Sequence, residues 1–289
     1  MKNKILSLLL SAALTLGCAV PAFAAEDGLP ASDAPAEAAE SGLWITAEAV
    51  QALAFAKSVN DGESYQGQYI SLNSDIDLSG IDWTPIGTSN SFKGVFDGNQ
   101  YVIENLTIGS QAAAAERDAA GLFGDLGSGG VIRSVGIRNA SIYNYYAGSQ
   151  YVGLLASGTS ANSVVDNCWA TGTIASGGTS TDTEKYSNIG GLIGASGLKS
   201  LVANSWSDVT ILSVSDTINA VGGVASGTSY MAAAYNCYFN SDAKQSYYGG
   251  EVSEPVAVGY DALNYTPSDN EHCEACPRAA FTVRRCLKS

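Results

Sequence analysis

A glycine–aliphatic core returns four times in this chain and constrains its fold more than any other feature. It reads Gly121-Leu122-Phe123-Gly124, Val152-Gly153-Leu154-Leu155-Ala156, Ile189-Gly190-Gly191-Leu192-Ile193-Gly194 and Val221-Gly222-Gly223-Val224-Ala225. Aligned on Gly121, Gly153, Gly191 and Gly223, the steps are 32, 38 and 32 residues. A second pattern follows each core: Val131-Ile132-Arg133-Ser134-Val135, Val164-Val165-Asp166-Asn167-Cys168, Leu201-Val202-Ala203-Asn204-Ser205 and Ala233-Ala234-Tyr235-Asn236-Cys237. Val102-Ile103-Glu104-Asn105-Leu106 reads as an earlier copy of this second pattern that has no glycine core before it.

Runs this short, separated by Gly, Ser, Asn and Thr clusters, are strands and not helices. Two or three strands per repeat of this length match one coil of a right-handed parallel β-helix, each coil stacked about 4.8 Å from the last. Glycine serves a chain that turns sharply and packs backbone against backbone. Helical repeats of similar length need amphipathic helices, and none is visible after Val59. The expected fold is therefore mainly β, a solenoid. In-register stacking also puts Cys168, Ser205 and Cys237 in one column. The two cysteines then stand two coils apart, about 9–10 Å, too far for a disulfide. They are expected to be free, buried, small apolar fillers.

A stack of coils needs protected ends. Residues 46–60 read as a helix suited to capping one of them. Thr46 is the N-cap, Glu48 suits the first turn, and Asn60-Asp61-Gly62 supplies the stop. Ala52, Phe55, Ala56 and Val59 give it one apolar face.

The run Asp75-Ile76-Asp77-Leu78-Ser79, then Trp83-x-Pro85-Ile86-Gly87, then Phe92-x-Gly94-x-Phe96-Asp97-Gly98-Asn99 resembles the start of bacterial GLUG-motif proteins. The core at 189–194 looks like the motif that names them, and the match covers roughly residues 43–240. The resemblance implies extracytoplasmic repeat proteins, often parts of long surface proteins and adhesins. Some related repeats flank immunoglobulin A peptidases, but this sequence holds no peptidase zinc motif. It departs from the family where Gln100 replaces a common glycine, and no wall-sorting signal ends the chain.

Residues 1–24 read as a secretory signal peptide. Lys2 and Lys4 open it, Ile5 to Leu16 is mostly apolar, and Ala22-Phe23-Ala24 is a cleavage site. Lipidation at Cys18 is the alternative, through an imperfect box ending Leu16-Gly17-Cys18. Residues 25–42, rich in Ala, Pro, Ser and acids, read as a flexible acidic linker. The capping helix and first coils follow over 43–100, GLUG-type repeats over 101–250, and an irregular tail over 251–289. No segment after the leader is apolar enough to span a bilayer. The chain carries 28 acidic residues against 14 basic ones, two of which lie in the leader. Such a balance argues against nucleic acid as a partner. The only histidine is His272, which sets aside a Ser-His-Asp triad, a multi-histidine metal site and an HExxH peptidase.

Four sets of residues are candidates for chemistry. Asp75, Asp77, Asp82 and Asp97 could form the carboxylate pair of a glycosidase or lyase, or simply bond turn backbones. Calcium at the same acidic turns is a further option, although no complete loop is visible. Tyr143, Tyr145, Tyr146 and Tyr151, clustered in one loop, suit a sugar ring or a protein surface; Tyr230, Tyr235, Tyr238, Tyr247 and Tyr248 gather later. Stacking along the solenoid wall is the alternative for both groups. His272, Cys273, Cys276 and Cys286 hold possible zinc ligands but lack a second spaced pair. Arg278, Arg284, Arg285 and Lys288 crowd the same tail, where the repeats have stopped, so it reads as a truncated or frame-shifted end.

The expected function is a secreted or cell-surface binding or scaffold module for an extracellular glycan or a host or matrix protein. It needs no cofactor and is either a monomer or part of a longer surface protein. The alternative is a polysaccharide hydrolase or lyase acting through aspartates on the β-helix. One fold hosts many functions, so the fold alone does not decide.

Overall fold

The computed structural model describes residues 46–178, 185–213, 218–227, 232–247 and 250–251, with further strands at Leu14–Leu16 and Cys273–Cys276. Lys2, Lys4, Cys18, Ala24, the linker 25–42, His272 and Cys286 lie outside these residues. The described chain is mainly β, a parallel β-solenoid of about four turns with one helix at its N-terminal side.

Each full coil contributes four strands, three short and one long, rather than two or three. Ala119–Ala120, Gln150–Gly153, Tyr186–Gly190 and Ile218–Gly222 stack as the first wall. Phe123–Leu126, Ala156–Thr159 and Ile193–Ser196 form the second. The third wall runs Tyr69–Leu72, Val95–Asp97, Val131–Arg133, Val164–Asp166, Leu201–Ala203 and Ala233–Tyr235. The fourth runs Ile76–Asp77, Val102–Glu104, Gly136–Tyr146, Trp169–Gly178, Trp206–Ser213 and Cys237–Asn240. Cys273–Cys276 pairs in parallel with Cys237–Asn240. Leu14–Leu16, inside the segment read as a leader, pairs antiparallel with Tyr69–Leu72.

One earlier expectation is corrected here. Val102–Glu104 is not a copy of Val131–Arg133; it lies on the fourth wall against Gly136–Arg138. The true counterpart is Val95–Asp97 on the third wall. The two segments look alike because each strand runs into a corner that demands a left-handed residue. Ser134, Asn167, Asn204 and Asn236 occupy one corner with φ of 52°, 52°, 50° and 52°. Asn105 and Asn139 occupy the other, with φ of 58° and 57°. Asn tolerates this conformation better than most residues, so "strand, then Asn" marks both.

The core is built from in-register columns. On the third wall Ile70, Phe96, Ile132, Val165, Val202 and Ala234 succeed one another, all buried. The repeated glycines sit where the first and second walls meet and coils approach most closely. A Cβ at Gly191 would fall 2.0 Å from the Gly223 carbonyl oxygen, and one at Gly121 would fall 2.3 Å from that of Gly153. No side chain fits either place.

The N-terminal helix spans Ala47–Asn60, and Thr46 accepts a hydrogen bond from Ala49 N–H at 3.2 Å. It buries Ala49, Phe55, Ala56 and Val59. Phe55 enters an aromatic cluster, 5.1 Å from Tyr65, 5.7 Å from Phe92 and 6.1 Å from Phe96. The face expected from the sequence thus meets the first coils. Cys168 and Cys237 are both buried, Cys168 as a free thiol, and the Cys168 N–H donates to Ser205 Oγ at 3.1 Å, as expected for residues in one column.

Candidate functional site

Outward-facing residues of the first and second walls line a common groove of about 610 Å³, so the corner between those walls is re-entrant. It extends from Gly87 and Thr88, ahead of the first full coil, to Ser226 and Gly227 in the last. Four coil-to-coil steps give it a length of roughly 19 Å along the stack.

Register dictates what each wall offers. On one side Ala119, Tyr151, Asn188 and Ala220 follow one another down the stack. On the other side the order is Asp125, Gly158 and Ala195. Small residues on the second wall keep the groove open. A Cβ at Gly158 would meet only Ala195 O and Asp125 Oδ1, each at 3.8 Å.

The polar groups of the groove are held in place. Asp125 accepts from Ser91 Oγ at 2.7 Å and from Ser160 Oγ at 2.9 Å, side chains from the coils on either side. Asn60, at the end of the capping helix, fixes the groove's N-terminal rim. Its Oδ1 accepts from Gly87 N–H at 2.8 Å and Thr88 N–H at 2.9 Å, and its Nδ2 donates to Pro85 O at 3.0 Å. The rim thus begins at Gly87, the end of the Trp83-x-Pro85-Ile86-Gly87 run, whose buried Trp83 anchors it by donating from Nε1 to Leu122 O at 3.0 Å. Ser196 lines the groove at 5% exposure, and its Oγ has no hydrogen-bond partner among the described residues. A buried polar group left this way costs about 1–3 kcal/mol.

Among the described residues Tyr151 is the one candidate tyrosine that lines the groove. Its hydroxyl bonds that of Tyr186 at 2.5 Å, with the rings edge-to-face at 5.6 Å. Burial and this bond push its pKa well above the ordinary tyrosine value, so it stays a neutral hydroxyl. Tyr143, Tyr145 and Tyr146 are not loop residues. They belong to strand Gly136–Tyr146, while Tyr151 opens the next coil on strand Gln150–Gly153. Asn144 is a buried strand residue, bonding Gln150 Oε1 at 2.6 Å.

The four aspartates hold turns and corners of the first coils. Asp75 accepts from Val102 N–H at 2.7 Å, and Asp82 from Gly109 N–H at 2.8 Å. Asp77 accepts from Ser79 Oγ at 2.6 Å, Asn105 Nδ2 at 2.8 Å and Ser79 N–H at 2.9 Å, bonds that hold its pKa below the usual value. Asp97 stands on a different wall from Asp77, where it accepts from Tyr69 OH, Asn99 N–H and Arg133 Nε. None of the four lines the groove. Among the described residues no three His, Cys, Asp or Glu side chains gather as a metal site. Cys273 and Cys276 lie on a described strand, whereas His272 and Cys286 fall outside the described residues.

The sequence reading missed Asp118, Asp125 and Asn188 as groove residues. Their signal was present but faint: each lies beside a glycine core at an outward position, which emerges only once the four-strand register is known.

No family model matches this chain. Over 157 residues, 51% of its length, it is 34% identical to halomucin of Haloquadratum walsbyi, strain DSM 16790 / HBSQ001, of which it spans 2%. A crystal structure of a Bacteroides ovatus protein, provisionally described as an immunoglobulin A1 protease, aligns with it at a TM-score of 0.44 and 20% identity, covering 81% of this chain and 84% of that one. No helix among the described residues is long and apolar enough to cross a membrane.

Proposed function

We propose that this chain is a secreted or cell-surface repeat protein whose solenoid is a binding module, holding an extracellular glycan or host protein in the groove between its first two walls. The observation that carries this reading is the groove itself, continuous over successive coils and lined by positioned polar groups. A rigid stack supports such a site well, since the residues facing a partner are fixed by the coils and lose little freedom on binding. The leader-like N-terminus and the likeness to a stretch of halomucin are consistent with an extracellular module.

The test is to screen residues 25–289 against panels of glycans and matrix proteins, with Gly158→Trp in parallel. We expect a ligand bound by the wild type and lost when the tryptophan fills the groove, with circular dichroism unchanged. Binding to nothing on either panel would sink the reading. Release of reducing ends or unsaturated sugars, abolished by Asp97→Asn and kept in a surface control, would replace it with the enzymatic alternative.

A further inference from the structure

We infer that the ligand of this groove is an uncharged, hydroxyl-rich glycan chain lying along the coil axis. The inference rests on the binding reading above and narrows it to one chemistry. Three observations lead there.

The first is charge. Asp118 and Asp125 line the groove, and among the described residues no Lys or Arg does. Uronic acids, sulfated sugars and phosphate polymers would be repelled.

The second is the state of the backbone. A peptide held along a β protein gains its affinity by adding a strand to an open edge. Here the strands of both walls are already paired to the coils on either side. A peptide laid in the groove would find no ladder and would strand its own amides and carbonyls. Among its described residues the second wall of the groove offers Gly158, Ala195 and Gly197 rather than large apolar side chains. A glycan carries its hydrogen-bonding groups as hydroxyls around each ring, and these need side-chain partners rather than a strand edge.

The third is the set of partners on offer. Asp125 is pinned as an acceptor by its two serines, and Asn188 both donates and accepts. Tyr151 presents an aromatic ring whose register neighbour toward the N-terminal end is only Ala119. Ser196 lines the groove, and its Oγ is, among the described residues, the one buried polar side-chain atom with no partner, so a ligand hydroxyl would complete its bonding.

The experiment is titration calorimetry of the mature chain with length series of neutral, uronic-acid-containing and sulfated oligosaccharides and with extended neutral peptides. Neutral oligosaccharides should bind, with affinity rising until the chain spans roughly 19 Å and staying flat beyond. Gly158→Trp should lose binding at least tenfold. Glu116→Gln, an exposed change outside the groove lining, should fold normally and leave affinity unchanged, and binding by the wild type should depend little on salt. Neutral-glycan binding unaffected by Gly158→Trp would overturn the inference, because the glycan would then sit elsewhere. Groove-dependent binding of an acidic sugar or a peptide would overturn the ligand class while leaving the binding reading intact. No binding by any probe would overturn both.

Discussion

Trp169 and Trp206 stack with ring centroids 5.0 Å apart and planes only 3° from parallel. They are register partners on adjacent coils of the fourth wall, and Tyr238 continues the ladder. On its other side Trp169 reaches the coil of Gly136 and Arg138, whose guanidinium carbon lies 5.8 Å from the ring centroid. Both ring faces are therefore used within the wall, so this ladder is a spine and not an open platform for sugars. Gly136 makes room for it: a Cβ there would fall 2.2 Å from the Trp169 ring. Gly136→Ala is expected to cost about 1–3 kcal/mol by overpacking, and clearly less when Trp169→Ala is already present. Denaturant melts of the two single variants and the double variant measure this; equal costs in both backgrounds would show that Trp169 does not set the constraint.

Asn60 joins the capping helix to the groove rim through Gly87, Thr88 and Pro85. Asn60→Ala leaves those groups unpaired and should lower stability by about 1–3 kcal/mol. Hydrogen exchange at the Gly87 and Thr88 amides should speed up far more than exchange at Val165 in the core. Asn60→Asp keeps the acceptor and should recover part of the protection. Unchanged exchange in Asn60→Ala would mean the rim holds without the helix.

Asp97 gives the fold an acid-sensitive contact. Burial raises its pKa, but the bonds from Tyr69, Asn99 and Arg133 outweigh this and leave it below the ordinary aspartate value. A carboxylate with a depressed folded-state pKa stabilises fully above its unfolded value, about 3.9, and loses that contribution as pH falls through the folded value. The difference in melting temperature between wild type and Asp97→Asn should therefore be constant near neutrality, begin to shrink near pH ~4, and vanish at lower pH. A difference that persists into strong acid would assign it to shape rather than charge.

Cys168 is enclosed by the column it fills, and burial pushes its thiol up to about 12. It should resist an alkylating reagent in the native protein at mildly alkaline pH and react only after denaturation, as read by mass spectrometry of its peptide. Native labelling at the rate of a small free thiol would contradict its place in the core.

The columns were legible in the sequence because apolar residues recur in step with the glycine core, and placing Cys168, Ser205 and Cys237 together already implied the ladder one residue on. Trp169, Trp206 and Tyr238 follow those three in the chain, yet the implication escapes a reader who looks for aromatic clusters along the sequence rather than across coils. The groove was far less legible. Its shape comes from residues that are small, such as Gly158 and Ala195, and a missing side chain leaves no mark of its own in a sequence already rich in glycine. The misplaced Val102–Glu104 copy has a similar origin, since a left-handed Asn looks the same at either corner.

That corner residue can be tested directly. Asn204 holds φ of 50°, donates from Nδ2 to Asp166 Oδ1 at 2.8 Å and accepts from Asn236 Nδ2 at 2.6 Å, so backbone and side chain each contribute. Asn204→Gly removes only the ladder bonds and relaxes the backbone; Asn204→Ala removes the bonds and forces a Cβ into the left-handed region, adding about 1–2 kcal/mol. The expected order of stability is wild type, then Asn204→Gly, then Asn204→Ala, by denaturant midpoint. If alanine proved as good as glycine, the corner would have to tolerate a different backbone path. The shared conformation of Ser134, Asn167, Asn204 and Asn236 argues against that, because each of these corners hydrogen-bonds its neighbouring coil and a change of path at one would break the register on both sides.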